Sequence, residues 1–243
     1  MRAYLKNLIA VVYVALLFIA ITSAGTPVAA NAADEMPAFR KNDRILFQGD
    51  SITHGGRGGD PNHSMGHGYQ FIIAAKYGSQ FPERNLAFFN RGVSGDTVAR
   101  LQERWKADTL DLKPDLLSIL VGINDLGGVP AEKYEENYDR LLKETVAALP
   151  NVRLVLCEPF GLPVGPFAKT MGDWEKTRAE LEKRQAIVAK LGTKYKATVV
   201  HFQRVFDDAC RRAPAEYWIW DGVHPTYSGH QLMADEWIRT VGR

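Results

Sequence analysis

The sequence has few cysteines, no internal repeat and little excess charge. Its 243 residues include two cysteines, which excludes a scaffold held together by many disulfides and argues against a structural zinc site. No segment recurs at a period of about 20–50 residues, which excludes a repeat array. Lys and Arg number 30 against 28 Asp and Glu, whereas nucleic-acid-binding proteins normally show a basic excess or stripe. We therefore expect no nucleic-acid partner.

The first 32 residues differ in composition from the rest. Two basic residues precede an uncharged apolar run over 8–21, and small residues follow up to Ala32. This layout is typical of a secretory signal peptide. The apolar run is also short for a membrane span, which needs about 20 apolar residues. An uncleaved N-terminal anchor is the alternative. We expect a signal peptide at 1–32, one domain at 33–243, and a secreted or periplasmic mature protein without stable membrane association.

Cleavage after residue 32 would balance the charge. It removes two basic residues and no acidic one, which leaves 28 of each sign. A neutral polymer or a small ester fits such a balance better than a polyanion does. Export would also permit a disulfide between Cys157 and Cys210. Cys157 lies in an apolar run, however, and is equally typical of a small core residue, so both interpretations stay open.

Short apolar runs alternate with helical patterns along the domain. Five runs predict buried strands at 44–48, 86–90, 116–122, 152–159 and 197–202, and Gly, Pro or Asn stops the first four. Helical patterns cover 131–149 and 174–191. A last helix is predicted after Ser228, where Ser228 and Gln231 match a capping box. The alternation predicts an α/β fold with a parallel sheet and helices on both faces.

Candidate catalytic residues follow three of these strands and the C-terminal loop. In open parallel sheets, ligands bind beyond the carboxyl ends of the strands, and Ser51, Gly95 and Asn124 lie at such ends. A serine hydroxyl attacks an ester when a base takes its proton. His224 can be that base, and Asp221 can orient its ring. Taken singly, each residue is also typical of a helix cap, a turn or a structural hydrogen bond.

Two of these residues are suited to stabilising negative charge. Acyl transfer builds charge on the carbonyl oxygen, and each preorganised N–H donor contributes about 3–4 kcal/mol. Gly95 lacks a Cβ, so its amide can approach a ligand closely. Asn124 offers a side-chain amide at a strand end. Together they are candidates for an oxyanion hole.

Four blocks carry a resemblance to a known family, the SGNH hydrolases or GDSL esterases. They occur in the family's order: GDSIT at 49–53, NRGVSGDT at 90–97, GIND at 122–125 and DGVHP at 221–225. The resemblance implies a flavodoxin-like three-layer α/β/α fold with a five-stranded parallel sheet, and no cofactor. It implies a triad of Ser51, Asp221 and His224. It also implies that Gly95 and Asn124 join the Ser51 amide in the oxyanion hole.

Longer matches resemble the bacterial acetylxylan esterases of this family, which remove acetyl groups from xylose units. They are GHGY at 66–69, SGDTVARLQERW at 94–105, KPDLLSILVGINDL at 113–126 and WDGVHPTYSGH at 220–230. The glycine-rich loop 55–67 has its own sequence and is expected to border the site. Asp50 and Trp220 are predicted to contact substrate. Trp220, like its neighbours Tyr217 and Trp218, is also typical of core packing.

These features predict a serine esterase that hydrolyses short-chain, chiefly acetyl, esters through an acyl-serine intermediate. The expected substrate is a small ester or an acetylated oligosaccharide from a plant polysaccharide such as acetylated xylan. A lipolytic or lysophospholipase-type esterase is the alternative, disfavoured because no long hydrophobic insertion accompanies the blocks. A non-catalytic sugar-binding module is more remote. His54, His63 and His67 lie close together but without a fixed ligand spacing, so we expect no metal.

Overall fold

The computed structural model describes residues 39–60 and 62–242. Five strands form one parallel sheet in the order β2-β1-β3-β4-β5. Their bounds are β1 (Arg44–Gly49), β2 (Ala87–Asn90), β3 (Leu116–Leu120), β4 (Arg153–Cys157) and β5 (Thr198–Val200). The predicted five-stranded parallel sheet is confirmed. The last three strands are shorter than predicted, because β3 ends at Leu120, the chain leaves β4 before Pro159 and Phe202 already begins a helix.

Helices lie between and after the strands. They are α1 (Ser51–His54), α2 (Tyr69–Gln80), α3 (Val98–Trp105), α4 (Ala131–Ala148), α5 (Gly165–Met171), α6 (Trp174–Tyr195), α7 (Phe202–Ala209), α8 (Ala215–Trp218) and α9 (Tyr227–Val241). Helix α3 continues into one wider turn over Lys106–Leu110, and short 3₁₀ turns occur at Pro82–Arg84 and Asn124–Leu126. Within the described residues, no helix is both long and apolar enough to cross a bilayer.

Two hydrophobic cores sandwich the sheet, because side chains of a strand point alternately to opposite faces. On β1, Phe47 packs into the core that contains Trp237 of α9, whereas Leu46 packs into the core that contains Trp105 of α3. Helices α2, α7 and α9 cover the first face, and α3, α4 and α6 cover the second. All five residues of β3 are buried, as expected for a central strand covered on both faces. The three-layer α/β/α fold is thereby confirmed.

The register of the sheet brings the strand ends together at one edge. Gly49, the last residue of β1, is in register with Leu120, the last residue of β3. On the other side of β1, Phe47 is in register with Asn90 at the end of β2. The loops that follow these three strands therefore start side by side, at the edge where ligands bind in parallel sheets.

The start of the last helix differs from the prediction. Thr226 caps α9, and its hydroxyl accepts a hydrogen bond from the Gly229 amide at 3.2 Å. Ser228 therefore lies in the first turn, and Gln231 bonds to Asp235 instead of closing a capping box. The predicted pattern was wrong by two residues, because a threonine just upstream already satisfies the first free amides.

The two cysteines do not form the disulfide that export would permit. Both cysteines are free thiols: Cys157 is buried in β4, and Cys210 is partly buried after α7. Burial raises the pKa of Cys157 to about 12, as expected for an inert core residue. The predicted signal peptide at 1–32 lies outside the described residues.

Candidate active site

Ser51 is the first residue of α1 and directly follows the turn after β1. The Asp50 side chain caps this short helix, since its Oδ1 accepts a hydrogen bond from the Ile52 amide at 3.0 Å. Asp50 is 1% exposed. The predicted contact between Asp50 and substrate stays a prediction: in the structure this side chain serves as a buried helix cap.

The carboxyl group of Asp50 has an unusual environment. Its Oδ2 is buried and has no hydrogen-bond partner among the described residues. Burial raises the pKa of Asp50 to about 7, against the opposing effect of the Ile52 amide, and the nearby charges of Asp125 and Asp96 add to the rise. This environment therefore favours the uncharged form of the Asp50 carboxyl.

His224 links Ser51 to Asp221 in a continuous hydrogen-bonded chain. The His224 Nε2 atom lies 2.7 Å from the Ser51 Oγ, and its Nδ1 lies 2.6 Å from an Asp221 carboxylate oxygen. If the ring proton is on Nδ1, it is donated to Asp221, and Nε2 is left to accept the proton of Ser51. The structure brings together all three residues predicted as a triad.

Asp221 is held in its ionised form. Burial opposes its charge, but hydrogen bonds from the His224 amide and ring and from the Val223 amide outweigh burial and lower the pKa of Asp221. The two amides lie 2.7 and 3.0 Å from the same carboxylate oxygen. The other oxygen is thereby left to the imidazole ring. A fixed carboxylate of this kind orients a histidine and stabilises its protonated form.

The loop that carries Asp221 and His224 is fixed by a segment that the sequence analysis did not single out. Leu162 donates its amide to the Gly222 carbonyl at 2.9 Å, and Phe167 donates its amide to the Asp221 carbonyl at 3.0 Å. Both lie in the glycine- and proline-containing stretch that follows β4. That composition, at the carboxyl end of a central strand, was the available signal for a supporting loop.

The candidate oxyanion donors lie on adjoining loops. Gly95 is exposed in a turn with φ of 83°, a left-handed conformation that favours glycine. Asn124 begins the 3₁₀ turn after β3, and its Nδ2 donates to the Asp96 carbonyl at 2.9 Å. An amide nitrogen carries two hydrogens, so one can hold the Gly95–Asp96 turn while the other is directed elsewhere.

Aromatic residues stand around the catalytic loop. The Trp220 ring stacks on the His224 ring with their centroids 6.0 Å apart, and Trp220 is 59% exposed. Tyr217 is also exposed, whereas Trp218 is buried. The two interpretations of this cluster therefore both apply: Trp218 packs in the core, and Trp220 is available to a substrate.

The neighbouring histidines His54, His63 and His67 each contact a different residue. His63 lies 2.6 Å from Asp60 on the surface, and the His54 Nδ1 accepts a hydrogen bond from the Gly56 amide. The His67 ring meets the His230 ring edge to face at 6.4 Å. Among residues 39–60 and 62–242, no group of three or more His, Cys, Asp or Glu side chains is arranged to hold a metal ion.

A family model matches most of this domain. The GDSL-like lipase/acylhydrolase model aligns with residues 47–232, a span that contains Ser51, Gly95, Asn124, Asp221 and His224. The chain belongs to the GDSL-like lipase/acylhydrolase family. This confirms the family predicted from the four sequence blocks, and it establishes the GDSL protein as an ester hydrolase.

Individual relatives support the same assignment. An acetylxylan esterase from Geobacillus stearothermophilus is 29% identical over 215 residues, which cover 82% of this chain and 94% of that protein. A GDSL-like lipase from Parabacteroides merdae has a TM-score of 0.78 and 38% identity, covering 84% and 97% of the two chains. A catalytic mutant of the Geobacillus acetylxylan esterase has a TM-score of 0.74 and 27% identity, covering 85% and 97%.

Proposed function

We propose that this GDSL esterase removes acetyl groups from sugars, with Ser51 as nucleophile, His224 as general base and acid, and Asp221 as the residue that orients His224. The observation that carries the proposal is the hydrogen-bonded chain across the three side chains, at 2.7 and 2.6 Å. These distances lie within the range in which a base takes the proton of a nucleophile.

The reaction follows from this geometry. The Ser51 Oγ attacks the ester carbonyl carbon as its proton moves to the His224 Nε2, and a tetrahedral intermediate forms. Collapse breaks the bond to the alcohol oxygen, which receives the proton from His224 and leaves. Water then attacks the acyl group on Ser51, gives a proton to His224, and acetate departs as Ser51 regains its hydrogen.

The oxyanion hole of this proposal consists of three donors. The proposed donors are the Ser51 amide, the Gly95 amide and the Asn124 side chain, which lie on the segments that directly follow β1, β2 and β3. The hydrogen bond from Asn124 to the Asp96 carbonyl fixes two of these donors relative to each other before substrate arrives. Preorganised donors stabilise the intermediate without reorganisation during the reaction.

Two observations favour an acetylated sugar as the substrate. The relative named as an acetylxylan esterase aligns over 94% of its own length, and the longer sequence matches include Gly95, Asn124 and His224. The exposed Trp220 ring beside His224 offers a flat apolar surface next to the reacting ester. Trp220 is therefore proposed as a substrate contact.

A chain-length series on the purified protein tests the proposal. We expect specific activity to be highest on acetyl esters and to fall sharply by butyryl. In a small, closed acyl pocket each added methylene would clash with the pocket wall, instead of contributing the usual gain of about 0.8 kcal/mol from burial. Acetylated xylo-oligosaccharide should have a higher kcat/KM than a plain alkyl acetate. An alkyl acetate has no hydroxyls, so it would leave the polar groups of a sugar-binding site without hydrogen-bond partners. Release of acetate from acetylated xylan is the direct readout.

A lipolytic activity is the second candidate. It is favoured by the relative from Parabacteroides merdae, which is named as a GDSL-like lipase and is 38% identical. Activity that rises from acetyl towards octanoyl, with no acetate released from acetylated xylan, would transfer the assignment to this candidate.

A further inference from the structure

The large apolar side chains that stay exposed in residues 39–60 and 62–242 are concentrated beside the catalytic loop. Tyr217, Trp220 and Tyr227 are 53%, 59% and 84% exposed, and all three lie within seven residues of His224. The fourth, Phe71, is 48% exposed and lines the same groove as Tyr227. Exposed apolar side chains that are concentrated in one region often mark a binding site.

A groove of about 590 Å³ lies between α2 and α9. This volume falls within the range of roughly 300–1,000 Å³ that is typical of ligand sites. Three aromatic and three polar side chains contribute to its lining: Phe71, Trp218, Tyr227, His67, Ser228 and Gln231. No carboxylate lines the groove among the described residues. Its one charged side chain, Arg212, already lies over the Trp218 ring, 5.7 Å from the ring centroid.

The groove is continuous with the loop that carries His224. Trp218 accepts a hydrogen bond from the Thr226 amide at 2.9 Å, which closes the loop 218–226 at its base. Tyr227 is the next residue and the first of α9. On the opposite wall, the His67 ring contacts the ring of His230, whose Nδ1 accepts a hydrogen bond from the Tyr69 amide. The catalytic loop is thus one border of the groove.

The reaction itself determines which half of the ester faces this groove. His224 returns its proton to the leaving alcohol oxygen, so the alcohol must lie on the His224 side of the ester. The carbonyl oxygen points the other way, towards Gly95 and Asn124. The aromatic groove borders the two ends of the loop that carries His224, which makes it the surface we assign to the alcohol half of the substrate.

We propose that the groove lined by Phe71, Trp218 and Tyr227 binds the sugar units of the substrate chain beyond the acetylated one. This inference rests on the proposed function, since it takes the alcohol to be a sugar. Aromatic rings pack against the apolar C–H faces of sugar rings, and the polar groups of His67, Ser228 and Gln231 can bond to the hydroxyls at their edges. The groove presents one cation, Arg212, and no carboxylate among the described residues, so most of its lining suits hydroxyl groups and apolar ring faces.

Binding of unacetylated xylotetraose to the full chain carrying Ser51→Ala tests the groove separately from catalysis. Calorimetry should show that Tyr227→Ala and Phe71→Ala, each added to Ser51→Ala, raise the Kd about tenfold, equivalent to about 1.4 kcal/mol. Both side chains are exposed, so thermal unfolding should show that each variant folds. Tyr195→Ala is the matched control, because Tyr195 ends α6 at the opposite edge of the sheet. It should leave the Kd unchanged.

Kinetics provide the second readout. With Ser51 intact, the groove variants should lower kcat/KM on acetylated xylotetraose about tenfold relative to 4-nitrophenyl acetate, whose alcohol is too small to reach the groove. A Kd that neither groove variant changes would overturn the inference, even if acetate is still released from acetylated xylan. A dimer in sedimentation that Tyr227→Ala dissociates, with an unchanged Kd, would show instead that two copies meet there. Groove-dependent binding without deacetylation would support the groove and refute the proposed function.

Discussion

Single residues around Ser51 show how closely burial and hydrogen bonding define each role. Asp221, Asp50 and Asn124 are short polar side chains next to the same crevice, yet only Asp221 reaches the imidazole of His224. Asp50 points inward and caps α1. The sequence placed the triad positions because the blocks are specific, but it did not reveal that Asp50 is buried as a helix cap, because residue order does not give side-chain direction.

At Asn124, the proposed role makes a kinetic prediction. Asn124→Ala should lower kcat by about 10²–10³ with little change in KM, because the oxyanion forms only after attack. The exposed Asn151→Ala, at the opposite edge of the sheet, is the control and should leave both constants unchanged. A defect confined to KM would show that Asn124 binds the ground-state substrate instead.

At Asp50, the prediction concerns stability and pH. The pKa of Asp50 is raised from 3.8 to about 7, so the folded protein keeps a proton that the unfolded chain releases. Stability therefore falls as pH rises between about 4 and 7. Asp50→Asn keeps an acceptor for the Ile52 amide and carries no charge, so its stability relative to the parent should increase from pH 4 to pH 8.

Urea unfolding at pH 4 and pH 8 measures this change. The exposed Asp235→Asn is the matched control and should show a far smaller dependence of its stability difference on pH. If Asp50→Asn differs from the parent by the same amount at both pH values, Asp50 is ionised throughout and the proposed environment is wrong.

Among the structural elements, the strand ends were predictable and the loops between them were not. Runs such as 44–48 and 116–122 end at glycine or asparagine, and parallel packing then requires their ends to meet at one edge. The segment 161–167, which holds the catalytic loop through Gly222 and Asp221, carries no periodic pattern. Its role depends on backbone hydrogen bonds formed only after folding, which explains why sequence analysis missed it.

Gly222 tests this clamp on the catalytic loop. A Cβ at Gly222 would lie 2.5 Å from the Val164 carbonyl oxygen, at a φ of 106°. Gly128 has a similar φ of 117° but nothing within 4 Å of a Cβ. Gly128→Ala therefore measures backbone strain alone, of about 1–3 kcal/mol.

Gly222→Ala should destabilise the protein more than Gly128→Ala does and should also lower kcat, because the clash displaces the loop of Asp221 and His224. Thermal unfolding and turnover of the two variants give the comparison. Equal stability losses with unchanged turnover in both would mean that segment 161–167 does not position the loop.

For the whole molecule, the alternation of apolar runs and helical patterns predicted the α/β class, and the resemblance of four sequence blocks predicted the family. The proposed export rests on the first 32 residues alone. We propose that the protein is cleaved after Ala32 and exported, because a basic start, a short apolar run and small residues precede Ala33. Intact-mass analysis of protein from its native host should show a chain that starts at Ala33. A chain that retains Met1 in the membrane fraction would identify an anchor instead.

The surface groove between α2 and α9 could not be predicted from the sequence. Phe71 and Tyr227 are far apart in the chain and belong to helices with ordinary apolar patterns. Only the packing of the two helices leaves these rings exposed side by side.

Labelling with a fluorophosphonate, followed by peptide mass spectrometry, tests whether Ser51 is the nucleophile, since such reagents bond to an activated serine. We expect one adduct, on Ser51, and a labelling rate that falls by about 10³ or more in His224→Ala, because the hydroxyl loses its base. An adduct on another serine, or labelling of Ser51 at an undiminished rate in His224→Ala, would contradict the assignment of Ser51 and His224 as nucleophile and base.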